Sequence, residues 1–166
     1  MSHVVVMGVS GCGKSTVGSL LADRLGVPFL DADSLHPPAN LAKMAGGTPL
    51  DDADRWPWLR LVGSALAAAP DGTVVACSAL RRAYRDVLRE AAPDVRFVHL
   101  AGTHAQLSAR MRSREGHFMP ASLLDTQLAT LEPLGPDERG IELDCTLDPE
   151  ELVREAVRPA PDLLRA

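Results

Sequence analysis

Two kinds of apolar run alternate along the chain. Short, mostly β-branched stretches at His3–Met7, Phe29–Asp33, Thr73–Ser78, Val95–Leu100 and Ile141–Cys145 are each followed by a segment in which apolar residues recur every three or four positions. Near-continuous apolar runs belong to strands buried on both faces, and the longer period belongs to amphipathic helices. The helical segments are Ser15–Leu25, Ala79–Arg89, Thr103–Arg114, Ala121–Leu131 and Pro149–Val157. Two more helices start within 34–59, one near Pro37-Pro38 and one in the acidic stretch Asp51-Asp52-Ala53-Asp54, as proline at a first turn and the helix dipole favour. Five β–α units predict an α/β fold with a doubly wound, five-stranded parallel sheet. The pattern reads as one domain over residues 1–158, with Pro159-Ala160-Pro161 opening a poorly ordered tail over 159–166.

Composition narrows the function classes. Hydrophobic content of 46% and charged content of 23% are ordinary for a globular chain, and a net charge of -5 with no basic run argues against a nucleic-acid surface. The first strand starts almost at Met1 and no apolar run reaches membrane-spanning length, so a cytoplasmic protein without a membrane partner is expected. Cys12, Cys77 and Cys145 are odd in number and lack metal-site spacing, which predicts free thiols.

The candidate chemistry begins immediately after the first strand. Gly8-Val9-Ser10-Gly11-Cys12-Gly13-Lys14-Ser15, followed by Thr16, matches G-x-x-x-x-G-K-[ST] between a strand and a helix, the context a phosphate-binding loop requires. Its glycines let backbone N–H groups turn inward at a helix N-terminus, where the dipole also favours an anion. Lys14 then reaches the β- and γ-phosphates, and Ser15 is placed for Mg²⁺. ATP and Mg²⁺ are the cofactors this loop calls for.

Other residues cluster where the sheet topology opens. Asp31 and Asp33 stand two apart at the end of the second strand, a spacing that puts both carboxylates on one side, opening beside the phosphate loop. Arg81 or Arg82 shares a helix face with Arg85 near an N-terminus, where cations oppose the dipole and an anionic ligand would account for them. Arg55 admits two roles, pairing with a nearby aspartate or facing the crevice to bind an anionic substrate. Glu115–Pro120 interrupts two helices and reads either as a connector or as a lid, about 110–122, that carries Arg114 over the nucleotide.

A guanine-reading Asn-Lys-x-Asp is absent, and Thr73–Ser78 ends in serine rather than the acid of a large ATPase. The remaining class is a small-metabolite kinase. Within it the chain resembles the gluconokinase family, on Met7–Ser15, Phe29-Leu30-Asp31-Ala32-Asp33, Leu35-His36-Pro37, Asn40 and Lys43-Met44. Gly47-x-Pro49-Leu50-x-Asp52-x-Asp54-Arg55-x-Pro57-Trp58-Leu59, Cys77-Ser78-Ala79-Leu80 and Tyr84-Arg85-Asp86-x-Leu88-Arg89 carry it further. Gly116-His117-Phe118, Gln127, Thr130-Leu131-Glu132 and Asp137-Glu138-Arg139 extend it over nearly the whole chain.

The resemblance implies a P-loop kinase fold with a helical lid and ATP-dependent phosphorylation of D-gluconate at its 6-hydroxyl in a homodimer. It implies Lys14, Asp33 and Arg114 as the catalytic set, with Ser15 and Asp31 serving the metal and Arg110 lying over the adenine. Gluconate contacts would come from Asp33, His36, Arg55, Ser78, Arg82, Arg85, His117 and Gln127. The chain departs from the family pattern at Arg81-Arg82, where a lysine pair is frequent, which keeps the charge and changes its shape.

Overall fold

Side-chain alternation along the first strand shows why both sheet faces must be covered. In β1 (Ser2–Met7), Val4 and Val6 enter one apolar cluster while Val5 and Met7 enter the other, and all four are fully buried. Each such side chain contributes about 1.5–3 kcal/mol of transfer free energy. The computed structural model describes residues 2–113 and 121–158. Within them, β1, β2 (Phe29–Asp31), β3 (Gly72–Ala76), β4 (Arg96–Ala101) and β5 (Gly140–Asp144) form one parallel sheet ordered β2-β3-β1-β4-β5. The register sets Val4 opposite Val74, Val6 opposite Val98 and Leu100 opposite Leu143.

The helices among the described residues are α1 (Lys14–Leu25), α2 (Pro38–Ala45), α3 (Asp52–Ala67), α4 (Arg82–Ala91), α5 (His104–Ser113), α6 (Ala121–Thr130) and α7 (Pro149–Val157). The buried residues of α1 and α7 join the Val4–Val6 cluster, together with Leu107 of α5 and Leu124 of α6. Those of α3 and α4 join the Val5–Met7 cluster on the opposite face. The predicted doubly wound sheet is therefore present. None of the described helices is long and apolar enough to cross a membrane.

Local chemistry fixes the helix starts near the site. Gly13 caps α1 at φ 96°, a left-handed geometry that costs glycine nothing. Asp51 and Asp54 exchange side-chain and backbone bonds of 2.9 and 3.1 Å in a capping box that opens α3. Gly18 lets α1 lie directly on β2, because a Cβ there would stand 2.7 Å from the Phe29 ring.

One strand expectation is corrected. The segment Phe29–Asp33 is extended only as far as Asp31, and Ala32–Leu35 winds into a 3-10 turn. The Asp31 carboxylate accepts the Asp33 N–H at 3.0 Å, a local side-chain bond that competes with strand continuation. The three cysteines are free and buried, as expected.

Candidate active site

The loop between β1 and α1 wraps inward through positive φ at Gly8, Gly11 and Gly13. Its Val9–Ser10 peptide is held at both ends. The Lys14 ammonium donates to the Val9 carbonyl at 3.1 Å, and the Ser10 N–H donates to Gln127 Oε1 of α6 at 2.7 Å. Beside the loop lies a cleft of about 150 Å³, lined by Gly11, Cys12, Gly13, Thr16, Val17, Arg110, Ser113, Pro149 and Leu152. Arg110 spans its rim by donating to the Cys12 carbonyl at 3.2 Å. Loop N–H groups, an ammonium and an adjoining half-open cleft together suit a nucleotide polyphosphate with its base alongside.

Ser15 Oγ donates to Asp31 Oδ2 at 2.8 Å. A hydroxyl and a carboxylate side by side are the hard oxygen donors that Mg²⁺ takes when phosphates and water complete its octahedron. Cages of three or more His, Cys, Asp or Glu are absent among the described residues, and a magnesium–nucleotide needs none.

Asp33 stands apart from this pair, with its side chain 85% exposed. Behind it His36 is buried, its Nε2 3.7 Å from Asp33 Oδ1 and its ring stacked on Trp58 at 4.2 Å and 13°. Asn40 Nδ2 lies 3.2 Å from His36 Nδ1, and Trp58 Nε1 donates to the Ala32 carbonyl at 2.7 Å. Burial lowers the His36 pKa below its ordinary value, against the opposing pull of Asp33. Neutral His36 therefore backs Asp33 as a packed support. Burial pushes the Cys77 thiol, at the end of β3, up to about 12.

The arginines divide differently from the helical-face reading. Arg85 is wholly buried, which corrects its expected contact with substrate. Its guanidinium is spent on Glu138 at 2.8 Å, on the Ala79 carbonyl at 2.9 Å and on the Leu80 and Pro133 carbonyls at 3.4 Å. Arg82 turns to Asp137, with a bond of 2.8 Å, rather than standing free for substrate. Arg55 fulfils the pairing role, donating to Asp52 at 3.4 Å and to the Tyr84 hydroxyl at 3.2 Å, yet keeps 25% of its side chain exposed. Ser78 is half-buried against the phosphate loop, its carbonyl accepting the Gly8 N–H at 3.3 Å. Gln127, expected on the substrate, is bonded instead to that loop. Arg114 and His117 lie outside the described residues.

Sequence reading missed Glu138 as the buried partner of Arg85, and Asp52, Tyr84 and Arg81 as a cluster with Arg55. An acid within a family-like Asp137-Glu138-Arg139 block was the available signal for the first. For the second, local spacing offers only the Asp52–Arg55 pair three residues apart; Tyr84 joins Asp52 across 32 residues of sequence, which nothing local marks.

Comparison with known proteins agrees with this geometry. A family model described as an AAA domain matches residues 4–134. Gluconokinase from Gluconobacter oxydans is 50% identical over 158 residues, covering 93% of this chain and 89% of that protein. The crystal structure of a gluconokinase from Sinorhizobium meliloti superposes with a TM-score of 0.91 at 50% identity, over 99% of this chain and 94% of that one. Shikimate kinase from Aquifex aeolicus, at 17% identity and TM-score 0.61 over 96% of each chain, shares the fold alone. A phosphate loop that opens beside Asp31 and Asp33 is thus set in a chain whose half-identical relatives match it almost end to end, and the chain belongs to the gluconokinase family.

Proposed function

We propose that this cleft transfers the terminal phosphoryl group of ATP to the 6-hydroxyl of D-gluconate, giving 6-phospho-D-gluconate and ADP. The observation that carries the reading is the phosphate loop with Lys14 and the Ser15–Asp31 pair, set beside the exposed Asp33 at the carboxyl ends of β1 and β2. Asp33, exposed and braced by His36, orients the 6-hydroxyl and accepts its proton as the new P–O bond forms. Lys14 leaves the Val9 carbonyl for the β- and γ-phosphate oxygens, and the N–H groups around Gly11–Lys14 hold the phosphates in line. Ser15 and Asp31 would hold Mg²⁺, which when bound would offset phosphate charge. Arg110 and Pro149 flank the adenine. Arg114 and His117, within a lid at about 110–122, complete the set as the resemblance implies, in a cytoplasmic homodimer.

A coupled ADP-release assay with Mg-ATP tests the reading against D-gluconate, shikimate, other sugar acids and water. Turnover confined to D-gluconate is expected. Turnover on another acid alone would overturn the substrate, and release in water alone would overturn the kinase.

A further inference from the structure

Four arginines lie along α4 and its N-cap, and three of them are matched by carboxylates. Arg82 has Asp137, Arg85 has Glu138, and Arg89 has Asp86 with Glu138 3.3 Å away. Arg81 differs. It is the N-cap of α4, with extended backbone, and its side chain is 43% exposed. Its carboxylate partner among the described residues is Asp52, at 3.5 Å, and Asp52 is already engaged by Arg55 at 3.4 Å. Both guanidinium carbons also approach the Tyr84 ring, at 5.9 Å for Arg81 and 5.7 Å for Arg55. The Tyr84 hydroxyl donates to Asp52, and burial followed by this bond raises the phenol pKa, so Tyr84 is neutral. Two cations therefore share one anion through long contacts, leaving one net positive charge at a helix N-terminus whose dipole repels it.

Both arginines stand near helix starts on the side of the sheet that carries Asp33: α4 follows β3, which pairs with β2, and Trp58 of α3 donates to the Ala32 carbonyl next to Asp33. Arg55 is one turn of α3 from Trp58, the platform on which His36 stacks beside Asp33. Arg81 follows directly on the turn whose Ser78 carbonyl receives the phosphate-loop Gly8 N–H.

We infer that Arg81 is a specificity-determining residue, forming with Arg55 a two-guanidinium fork that reads the carboxylate of the sugar-acid acceptor while Asp52 and Tyr84 hold the fork open. The inference rests on the functional reading above and adds the group by which an acid is told from a neutral sugar. A carboxylate takes two parallel N–H bonds from a guanidinium, so an arginine here gives a geometry that a lysine point charge does not.

The test compares the intact enzyme with Arg81→Gln and Arg81→Lys, using the KM for D-gluconate and the inhibition constant of D-glucitol, its uncharged counterpart. Arg81→Gln is expected to raise the gluconate KM by about tenfold or more, with glucitol inhibition and ATP-analogue binding unchanged; tenfold corresponds to about 1.4 kcal/mol. Arg81→Lys should recover part of that loss. An unchanged gluconate KM, or equal losses for gluconate and glucitol, overturns the inference while the kinase reading stands. Wild-type enzyme that leaves gluconate untouched overturns both.

Discussion

Asp31 and Asp33 are neighbours of one type with opposite surroundings, and their substitutions should separate. Asp31 already holds Ser15 Oγ at 2.8 Å and the Asp33 N–H at 3.0 Å, so its oxygens are committed to the loop and the turn. Asp33 is open to solvent with a buried histidine behind it. Asp33→Asn removes the proposed proton acceptor and keeps the shape. Turnover should fall about 10²–10⁴-fold, the usual worth of a positioned general base, with ATP-analogue binding retained. Near-wild-type turnover in that variant would remove the role. The pair was legible in sequence because two acids at a strand end beside a phosphate loop have a chemical reason to be there. Their geometry was not, because a two-residue spacing implies one strand face only while the strand lasts. Here Asp31 ends the strand by bonding the Asp33 backbone.

At the scale of elements, the turn from β3 to α4 is the least comfortable piece of the fold and the most tightly held. Ala79, buried within it, takes φ 44°, a left-handed conformation rare for a residue with a Cβ. Arg85 clamps that turn through the Ala79 and Leu80 carbonyls while pairing with Glu138, whose side chain is 1% exposed. Arg85→Met should cost up to about 3–5 kcal/mol of stability, since it removes the buried partner of Glu138 and leaves that carboxylate the longer contact to Arg89 at 3.3 Å, and the added change Glu138→Leu should return part of it. Urea unfolding of the two variants reads this, and equal stabilities would show that Arg89 suffices as the partner of Glu138. Helical periodicity grouped Arg81, Arg82 and Arg85 correctly as neighbours of one helix start. It could not assign them, because the deciding carboxylates arrive from Asp137 and Glu138, more than fifty residues away. The Gln127–Ser10 bond, 117 residues apart, was out of reach for the same reason. Strands and the phosphate loop, whose signals are local, were readable in place and order, with the ends of β2 and β3 reached earlier than expected, at Asp31 and Ala76.

Across the whole molecule, buried neutral histidines make acid the condition that should loosen the fold first. Burial lowers the pKa of both His36, against Asp33, and His99, against Glu142 at 3.3 Å. They sit in different parts of the structure, one behind the acceptor site and one in β4 beside the edge strand β5. Because each folded-state pKa lies below the ordinary 6.5, the unfolded chain takes up these protons at a higher pH than the native one. More protons on the unfolded state mean that stability rises with pH. It is therefore fully present above about 6.5, declines as the pH falls through the interval down to the two folded values, and then levels off. A second decline follows at lower pH as Asp52, held down first by the Tyr84 hydroxyl, and Asp137, held to about 2 by Arg82, are protonated. Melting temperatures should therefore drop between pH 7.5 and 5.5, ahead of the carboxylate range. His99→Gln removes one of the two titrating groups at a site remote from Asp33, so the size of that drop should shrink while the low-pH decline stays. A pH profile unchanged by His99→Gln would show that His99 does not set the first decline and would leave His36 as its source.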